Sequence, residues 1–152
     1  MRVTLVAVGR ARRGPIEELC REYAGRLPWT VEILEVEPKK RLSGDALKAH
    51  EAELLAARIP DGAVLLALDE RGKALSSPDF AEAFRRWRDD GRQSVCFLIG
   101  GADGLDPSLR ARADMVLAFG PQTWPHMMVR AMLLEQVYRA ERILAGHPYH
   151  RE

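Results

Sequence analysis

The chain has 152 residues, of which 47% are hydrophobic and 30% charged, and its formal net charge is +1. These values are typical of a globular protein that can bury a sizeable core. They argue against a strong bulk attraction to nucleic acid, and no apolar run in the sequence approaches the length of a membrane span.

The first residues predict a β-strand rather than an export signal. Residues 3–8 form a short β-branched run, and Arg10, Arg12 and Arg13 follow closely. A signal peptide needs a longer apolar segment and a small-residue cleavage site. Cys20 falls in a predicted helix and Cys96 in a predicted buried strand, which is typical of reduced thiols. We therefore expect a cytoplasmic protein without membrane contact.

Strands and helices alternate along the rest of the chain. Proline, glycine and capping residues mark the ends of the helices. The predicted elements, in chain order, are strand 3–8, helix 16–27, strand 31–36, helix 45–58, strand 63–68, a helix capped by Ser77 and ended by Gly91, strand 94–99, a short helix from Asp106-Pro107, strand 114–119 and helix 125–145.

This alternation predicts an α/β fold, a mainly parallel sheet with flanking helices, in one domain over residues 1–152. Ligands of such sheets bind outside the carboxyl ends of the strands. Three unusual loops follow predicted strands, at 68–73, 99–104 and 119–126. We expect these three loops to meet at one ligand site.

Two of these loops contain residues suited to a close approach of a ligand. Gly100 and Gly101 allow a ligand to reach the backbone, although the same pair also suits an ordinary tight turn. The loop at 119–126 holds Pro121, Trp124 and Pro125, which make it rigid and able to present backbone donors and acceptors to a purine-like ring. A simple chain reversal is the alternative for that loop.

The last helix is apolar on two sides. One stripe contains Val129, Leu133 and Val137, and a second contains Ala131 and Leu134. One stripe suffices to dock a helix on its own sheet. The second therefore favours a homodimer, with burial in the monomer core as the alternative.

Four chemically versatile side chains follow that helix, namely His147, Tyr149, His150 and Arg151. Imidazole, phenol and guanidinium groups can transfer protons, stack on a base and bind a phosphate. A solvated polar tail is the alternative. Basic clusters at 10–13 and 39–41 either contact nucleic-acid phosphates or form solvated loops.

The ordered set of motifs resembles the ribosomal RNA large subunit methyltransferase H family of the SPOUT superfamily. The resemblance runs from residue 3 to the end of the chain and depends on Leu68-Asp69 with Gly72-Lys73, Leu98-Ile99-Gly100-Gly101, Thr123-Trp124-Pro125-His126, Arg130, Glu135-Gln136-Val137-Tyr138-Arg139-Ala140 and His147-Pro148-Tyr149-His150-Arg151.

The resemblance implies a fold and an activity. Members have an α/β fold with a C-terminal deep trefoil knot and act as homodimers. They transfer a methyl group from S-adenosyl-methionine to N3 of a pseudouridine in the helix 69 loop of 23S rRNA, on assembled 70S ribosomes, and need no metal. A SPOUT methyltransferase for tRNA and a non-catalytic nucleotide-binding ribosome assembly factor are the alternatives.

The resemblance also implies roles for individual residues. Residues expected to bind the methyl donor are Leu68, Gly100, Gly101, Phe119, Gly120, Pro121, Gln122, Thr123 and Trp124. Residues expected to face the target nucleotide are His126, Arg130, His147 and Tyr149, and those expected to take part in catalysis are Tyr149, His150 and Arg151. The segment Phe119–Trp124 departs from the smaller, serine-containing pattern of relatives, so its backbone contacts are expected to be kept and its side-chain contacts to differ.

Overall fold

The computed structural model describes residues 1–151, and Glu152 lies outside the described residues. Its elements are β1 Arg2–Val8, α1 Pro15–Arg26, β2 Thr30–Val36, α2 Gly44–Ala56, β3 Val64–Ala74, α3 Ser77–Asp89, β4 Ser94–Ile99, α4 Pro107–Arg112, β5 Met115–Ala118 and α5 His126–Leu144. All ten predicted elements are present, which confirms the predicted α/β alternation. Among the helices of residues 1–151, none combines the length and the apolar content needed to cross a bilayer.

The strands form one sheet in the order β2-β1-β4-β3-β5, and every neighbouring pair is parallel. The predicted parallel sheet is therefore confirmed. Because all strands run the same way, their carboxyl ends and the loops that follow lie along one edge. We call this edge the carboxyl edge. The trefoil knot stays a prediction, since strand order and register do not describe how the chain is threaded.

Helices cover both faces of the sheet. Leu5 and Phe97 point to one face, where they share a core cluster with Phe84 of α3 and Val137 of α5. Val6 and its neighbours on the alternate positions point to the other face, which α2 and α4 cover. Burial on both faces explains why the central strands read as continuous apolar runs rather than as alternating ones.

Strand β3 continues beyond the predicted end at residue 68. Leu68 and Lys73 both pair with Leu117 of β5, so the segment predicted as a loop is an irregular part of the strand. Gly72 makes this possible, because a Cβ there would lie 2.6 Å from the backbone carbonyl atoms of Val116. Charged side chains at 69–73 concealed the strand, since propensity marks such a run as a loop.

The start of α3 is shifted by one residue from its prediction. The cap is Ser76, whose Oγ accepts a hydrogen bond from the Asp79 N–H at 3.1 Å, and not Ser77. Ser77 instead donates from its hydroxyl to Gln136 Oε1 at 2.7 Å and so joins α3 to α5. Asp106 caps α4 as predicted.

The second apolar stripe of α5 is covered within the chain. Ala131 and Leu134 pack against Cys20 of α1, with Tyr23 beside them. The monomer-core alternative therefore holds for this stripe, because α1 lies on the same face of the sheet as α5. Cys20 and Cys96 are both buried and free, as predicted.

We expect Gly72→Ala to lower the free energy of unfolding by about 2 kcal/mol or more, because the added methyl meets backbone that cannot move aside. Gly25→Ala is the matched control: it lies in α1 with no atom near its missing Cβ. A helical Gly→Ala change there should stabilise by roughly 0.5–1 kcal/mol. Urea unfolding of both variants measures the difference, and equal stabilities would contradict the close β3–β5 approach.

Candidate active-site cleft

A cleft of about 240 Å³ opens at the carboxyl edge, where the three predicted loops meet. Its walls combine apolar side chains, glycine backbone and a few charged groups. The lining residues are Leu68–Arg71, Ile99–Gly104, Leu117–Gly120, Gln122–Trp124, His126 and Val129. Eight of the nine residues expected at the donor site are among them, and the exception is Pro121. Their role as donor ligands stays a prediction.

The turn at Gly100-Gly101 is closed on itself. The Gly104 N–H donates to the Gly101 carbonyl at 3.0 Å, and a Cβ on Gly100 would lie 2.7 Å from the backbone of Gly104. The packing of the turn itself therefore requires a glycine at position 100, which agrees with the interpretation of this pair as an ordinary tight turn. The same turn also lines the cleft, so the two interpretations are compatible.

A buried carboxylate that the sequence analysis missed lies behind this turn. Glu51 of α2 is 6% exposed, and a Cβ on Gly101 would lie 2.8 Å from its Oε2. Its Oε1 has no hydrogen-bond partner within residues 1–151. Burial, followed by the negative charge of Asp103, raises the pKa of Glu51. A glutamate within an Ala- and Leu-rich helix carries no sequence signal for such a position.

The third loop is fixed by two side-chain hydrogen bonds. Trp124 Nε1 donates to the Phe119 carbonyl at 3.0 Å, and the Thr123 hydroxyl donates to Glu70 Oε2 at 2.6 Å. The second bond connects this loop to β3 across the cleft. These bonds hold the loop in place, in agreement with the rigidity predicted from its prolines, and residues Gln122–Trp124 line the cleft.

His126, the first residue of α5, lines the cleft and is half-buried. Its Cε1 lies 3.5 Å from the position that a Cβ on Gly9 would occupy, and its Nδ1 is buried without a partner in residues 1–151. Burial lowers the pKa of His126, and the positive charge of Arg130 lowers it further. The imidazole is thereby held neutral near pH 7.

Arg130 is buried and paired within the chain. It is 3% exposed, and its guanidinium donates to Glu35 Oε2 at 2.6 Å and to the Gly9 carbonyl at 2.9 Å. The Ala11 N–H donates to the same Glu35 oxygen. Burial alone would raise the pKa of Glu35, but the bonds from Arg130 and Ala11 outweigh it and the pKa is lowered. These bonds connect α5 to β1 and β2, and a contact of Arg130 with the substrate stays a prediction.

Two residues of the tail, Tyr149 and His150, are packed on α5. The Tyr149 ring stacks edge-on against Tyr138 at 4.8 Å, and its hydroxyl donates to Glu135 Oε1 at 3.0 Å. His150 Nδ1 lies 3.2 Å from Arg139 Nη1. Burial, then hydrogen bonds with Tyr23 and Glu135, raises the pKa of Tyr149. His147 and Arg151 are exposed.

The tail and the cleft are separated within one chain. The contacts of Tyr149 and His150 are made to Tyr138, Arg139 and Glu135, and none of these three lines the cleft. Nine residues of α5, or roughly 13 Å, separate His126 from Glu135. Among the residues expected to face the target nucleotide, His126 lines the cleft, whereas Arg130, His147 and Tyr149 do not.

A second, apolar groove of about 510 Å³ lies between the cleft and the tail. Ile16 and Leu19 of α1 and Met128 of α5 are exposed along it. Its far end reaches Tyr23 and Glu135, and its near end shares the segment from Leu117 to Gly120 with the cleft. Within residues 1–151, no three His, Cys, Asp or Glu side chains are grouped closely enough to hold a metal ion.

Comparison with known proteins adds independent evidence. A family model described as "Predicted SPOUT methyltransferase" matches residues 1–150. The proteins named ribosomal RNA large subunit methyltransferase H of Rhodospirillum centenum and Paramagnetospirillum magneticum are 58% and 55% identical over 151 residues, with 99% of this chain and 99% of each relative covered.

Solved structures of low sequence identity share the fold. A probable methylase family protein from Haemophilus influenzae Rd KW20 has a TM-score of 0.56 at 12% identity, over 99% of this chain and 70% of its own. A structure described as giving insight into the 2-OH methylation of C/U34 on tRNA has a TM-score of 0.52 at 20% identity, over 96% and 98% of the two chains.

We expect Glu51→Gln to raise the melting temperature at pH 7. The pKa of Glu51 is raised in the folded protein, so folding disfavours the charged carboxylate. The free energy of unfolding therefore falls as the pH rises from 4.5, the ordinary pKa of a glutamate, through the raised pKa of the folded state. The gain should therefore vanish below pH 4.5. Glu32→Gln, on an exposed position of β2, makes the same charge change and should show no such pH dependence. An equal response of both variants would contradict the buried position of Glu51.

Proposed function

The chain belongs to the SPOUT methyltransferase family and, within it, to the ribosomal RNA large subunit methyltransferase H proteins, and from this premise we propose that it methylates N3 of a pseudouridine in 23S rRNA. The proposed methyl donor is S-adenosyl-methionine, and the proposed substrate is the helix 69 loop of the assembled 70S ribosome. The observation that carries this proposal is full-length identity of 58% to a protein of that name.

The composition of the cleft supports the proposed donor. Leu68, Ile99 and Leu117 offer apolar contact to a purine ring, and the glycine turn and the third loop offer backbone groups. Asp69, Glu70 and Asp103 place negative charge at a site for a cationic ligand. S-adenosyl-methionine supplies a methyl group activated by its positive sulfonium. The residues of the cleft therefore fit this donor, and their task is to position the two reactants.

A basic rim beside the cleft supports an RNA substrate. The segments 9–14 and 37–48 follow β1 and β2 at the carboxyl edge and hold seven basic and two acidic residues, a net charge of +5 in a chain of net charge +1. Arg12, Arg13 and Lys39–Arg41 are exposed. We propose that this rim contacts rRNA phosphates, which orient the target without reading its sequence.

The apolar groove supports a homodimer. Exposed Ile16, Leu19 and Met128 lie side by side on α1 and α5, and a second copy of the chain would cover them through the same surface of its own. The tail lies at one end of this groove and the Phe119-Gly120 segment at the other. A twofold dimer through the groove would bring the tail of each protomer towards the cleft of its partner.

We propose that the tail acts at the partner's cleft. Tyr149 would stack on the target base, and Arg151, exposed and at the end of the chain, would contact the nucleotide as a planar donor of several hydrogen bonds. His147 would lie beside them. This arrangement gives the tail a function that its separation from the cleft of its own chain does not allow.

A substrate panel tests the proposed function. The protein is incubated with tritiated S-adenosyl-methionine and with 70S ribosomes, free 50S subunits or tRNA. We expect the 23S rRNA of 70S ribosomes to become labelled. This labelling should be lost when the pseudouridines are replaced by N3-methylated ones. Label in tRNA alone would favour the tRNA alternative, and donor binding without transfer to any RNA would favour an assembly factor.

Mixed dimers test the contribution of the tail. A variant lacking residues 149–152 keeps its cleft. The Gly101→Val variant keeps its tail, but its added side chain disturbs the glycine turn by displacing the Glu51 side chain. Each variant alone should transfer no methyl group, although the truncated one should still bind the donor. Equal mixtures should regain about a quarter of wild-type activity, because half of the dimers are mixed and each holds one complete site. Absence of recovery after verified subunit exchange would place the tail at its own cleft.

A further inference from the structure

The proposed reaction requires a proton acceptor, and the structure restricts the choice. The N3–H of a uracil-like ring is weakly acidic, so N3 becomes a good nucleophile only as its proton leaves. His150 is one candidate, because it is among the residues expected to take part in catalysis. The hydrogen bonds of the tail and of the cleft point to a different residue.

His150 has no free lone pair in this structure. Its Nδ1 lies 3.2 Å from Arg139 Nη1, and a guanidinium can only donate, so Nδ1 accepts. The neutral ring must then carry its proton on Nε2, which is buried and has no partner within residues 1–151. Tyr149 is equally unsuitable, because its raised pKa keeps the phenol protonated and its hydroxyl donates to Glu135.

The carboxylates of the cleft are also occupied or poorly matched. Asp69 lies within 3.6 Å of Arg71 and 3.5 Å of Arg110, and Glu70 accepts the hydroxyl of Thr123. Asp103 is exposed. An ion-paired or solvated carboxylate is a weak base towards a weakly acidic N–H, whereas an imidazole has a basicity closer to the working pH.

We infer that His126 is the general base, with its Nε2 accepting the N3 proton of the nucleotide as the methyl group is transferred. Within residues 1–151, His126 is the histidine that lines the cleft, and its Nδ1 is buried without a hydrogen-bond partner. Because Nδ1 is buried whereas the residue as a whole is half-exposed, we assign Nε2 as the nitrogen that accepts the proton. This inference rests on the proposed function.

The step is balanced in atoms and charge. The bond between N3 and the methyl carbon forms while the bond between that carbon and the sulfonium sulfur breaks. The sulfur retains the electron pair, and the N3 proton moves to His126 Nε2. The positive charge thus passes from sulfur to the imidazole, and no further reactant is needed.

The surroundings of His126 keep it ready to accept a proton. Arg130 on the same helix contributes positive charge, and Glu35 of β2 offsets part of it through its bond to Arg130. Asp69, Glu70 and Arg71 of β3 and Asp103 of the turn line the same cleft. A position at the start of α5 further disfavours the imidazolium, because the amino end of a helix is positive.

The assignment is tested by single-turnover methyl transfer to 70S ribosomes between pH 5.5 and 9, for the wild type, His126→Asn and His126→Gln. At pH 7 we expect both substitutions to lower the rate by about 100-fold or more. Their remaining rate should rise about tenfold per pH unit, because N3 must then lose its proton to hydroxide, whereas the wild-type rate should be nearly flat above pH 7. Free imidazole should restore part of the lost rate.

Two controls separate a base from a structural role. His50→Asn, on α2 and outside the cleft, should keep the wild-type rate and pH profile. An NMR titration of the His126 ring in the donor-free wild type should show a pKa below 6.5, a readout independent of activity and of the folding of any variant.

The outcomes distinguish this inference from the proposed function. Wild-type rates in the His126 variants, a uniform loss with an unchanged pH profile, or an imidazolium at pH 7 in the titration would overturn the assignment of the base. A wild type that binds the donor but labels no 23S rRNA would instead contradict the proposed function on which the assignment rests.

Discussion

The ion pair between Arg130 and Glu35 is the interaction on which the arrangement of the cleft depends. Arg130 is almost fully buried, and its guanidinium joins α5 to Glu35 of β2 and to the backbone at the end of β1. The removal of one partner from such a pair leaves an unpaired buried charge, which typically costs about 3–5 kcal/mol. His126 lies one helical turn before Arg130, so the same contacts fix the position of the imidazole in the cleft.

The parallel sheet determines where that cleft can form. All five carboxyl ends lie on one edge, so the glycine turn after β4, the rigid loop after β5 and the basic segments after β1 and β2 are neighbours although they are distant in sequence. Methyl transfer from an activated donor requires mainly that two reactants are held in line and that one proton is removed. A fixed edge with glycine backbone and one neutral imidazole is suited to both tasks.

The proposed site is one that a single chain does not complete. Tyr149 and His150 are packed against Glu135, Tyr138 and Arg139, on the far side of the apolar groove from the cleft. Packing of this kind holds the tail in a defined conformation before any RNA binds, which reduces the entropy lost on binding. It is compatible with the proposed division of roles, in which the cleft holds the donor and the base and the tail of a second copy holds the nucleotide.

The sequence by itself determined the alternation of strands and helices, the parallel sheet and the loops that follow β4 and β5 at its carboxyl edge, because periodicity, capping residues and glycines are local signals. It did not determine the length of β3, since the pairing of Lys73 with Leu117 depends on Gly72 meeting a strand more than forty residues away. Only the tertiary structure placed Arg130 in the interior, Glu51 behind the glycine turn and the second stripe of α5 against α1. Each of these depends on which distant element covers a side chain, and periodicity shows that a face is apolar without showing what covers it.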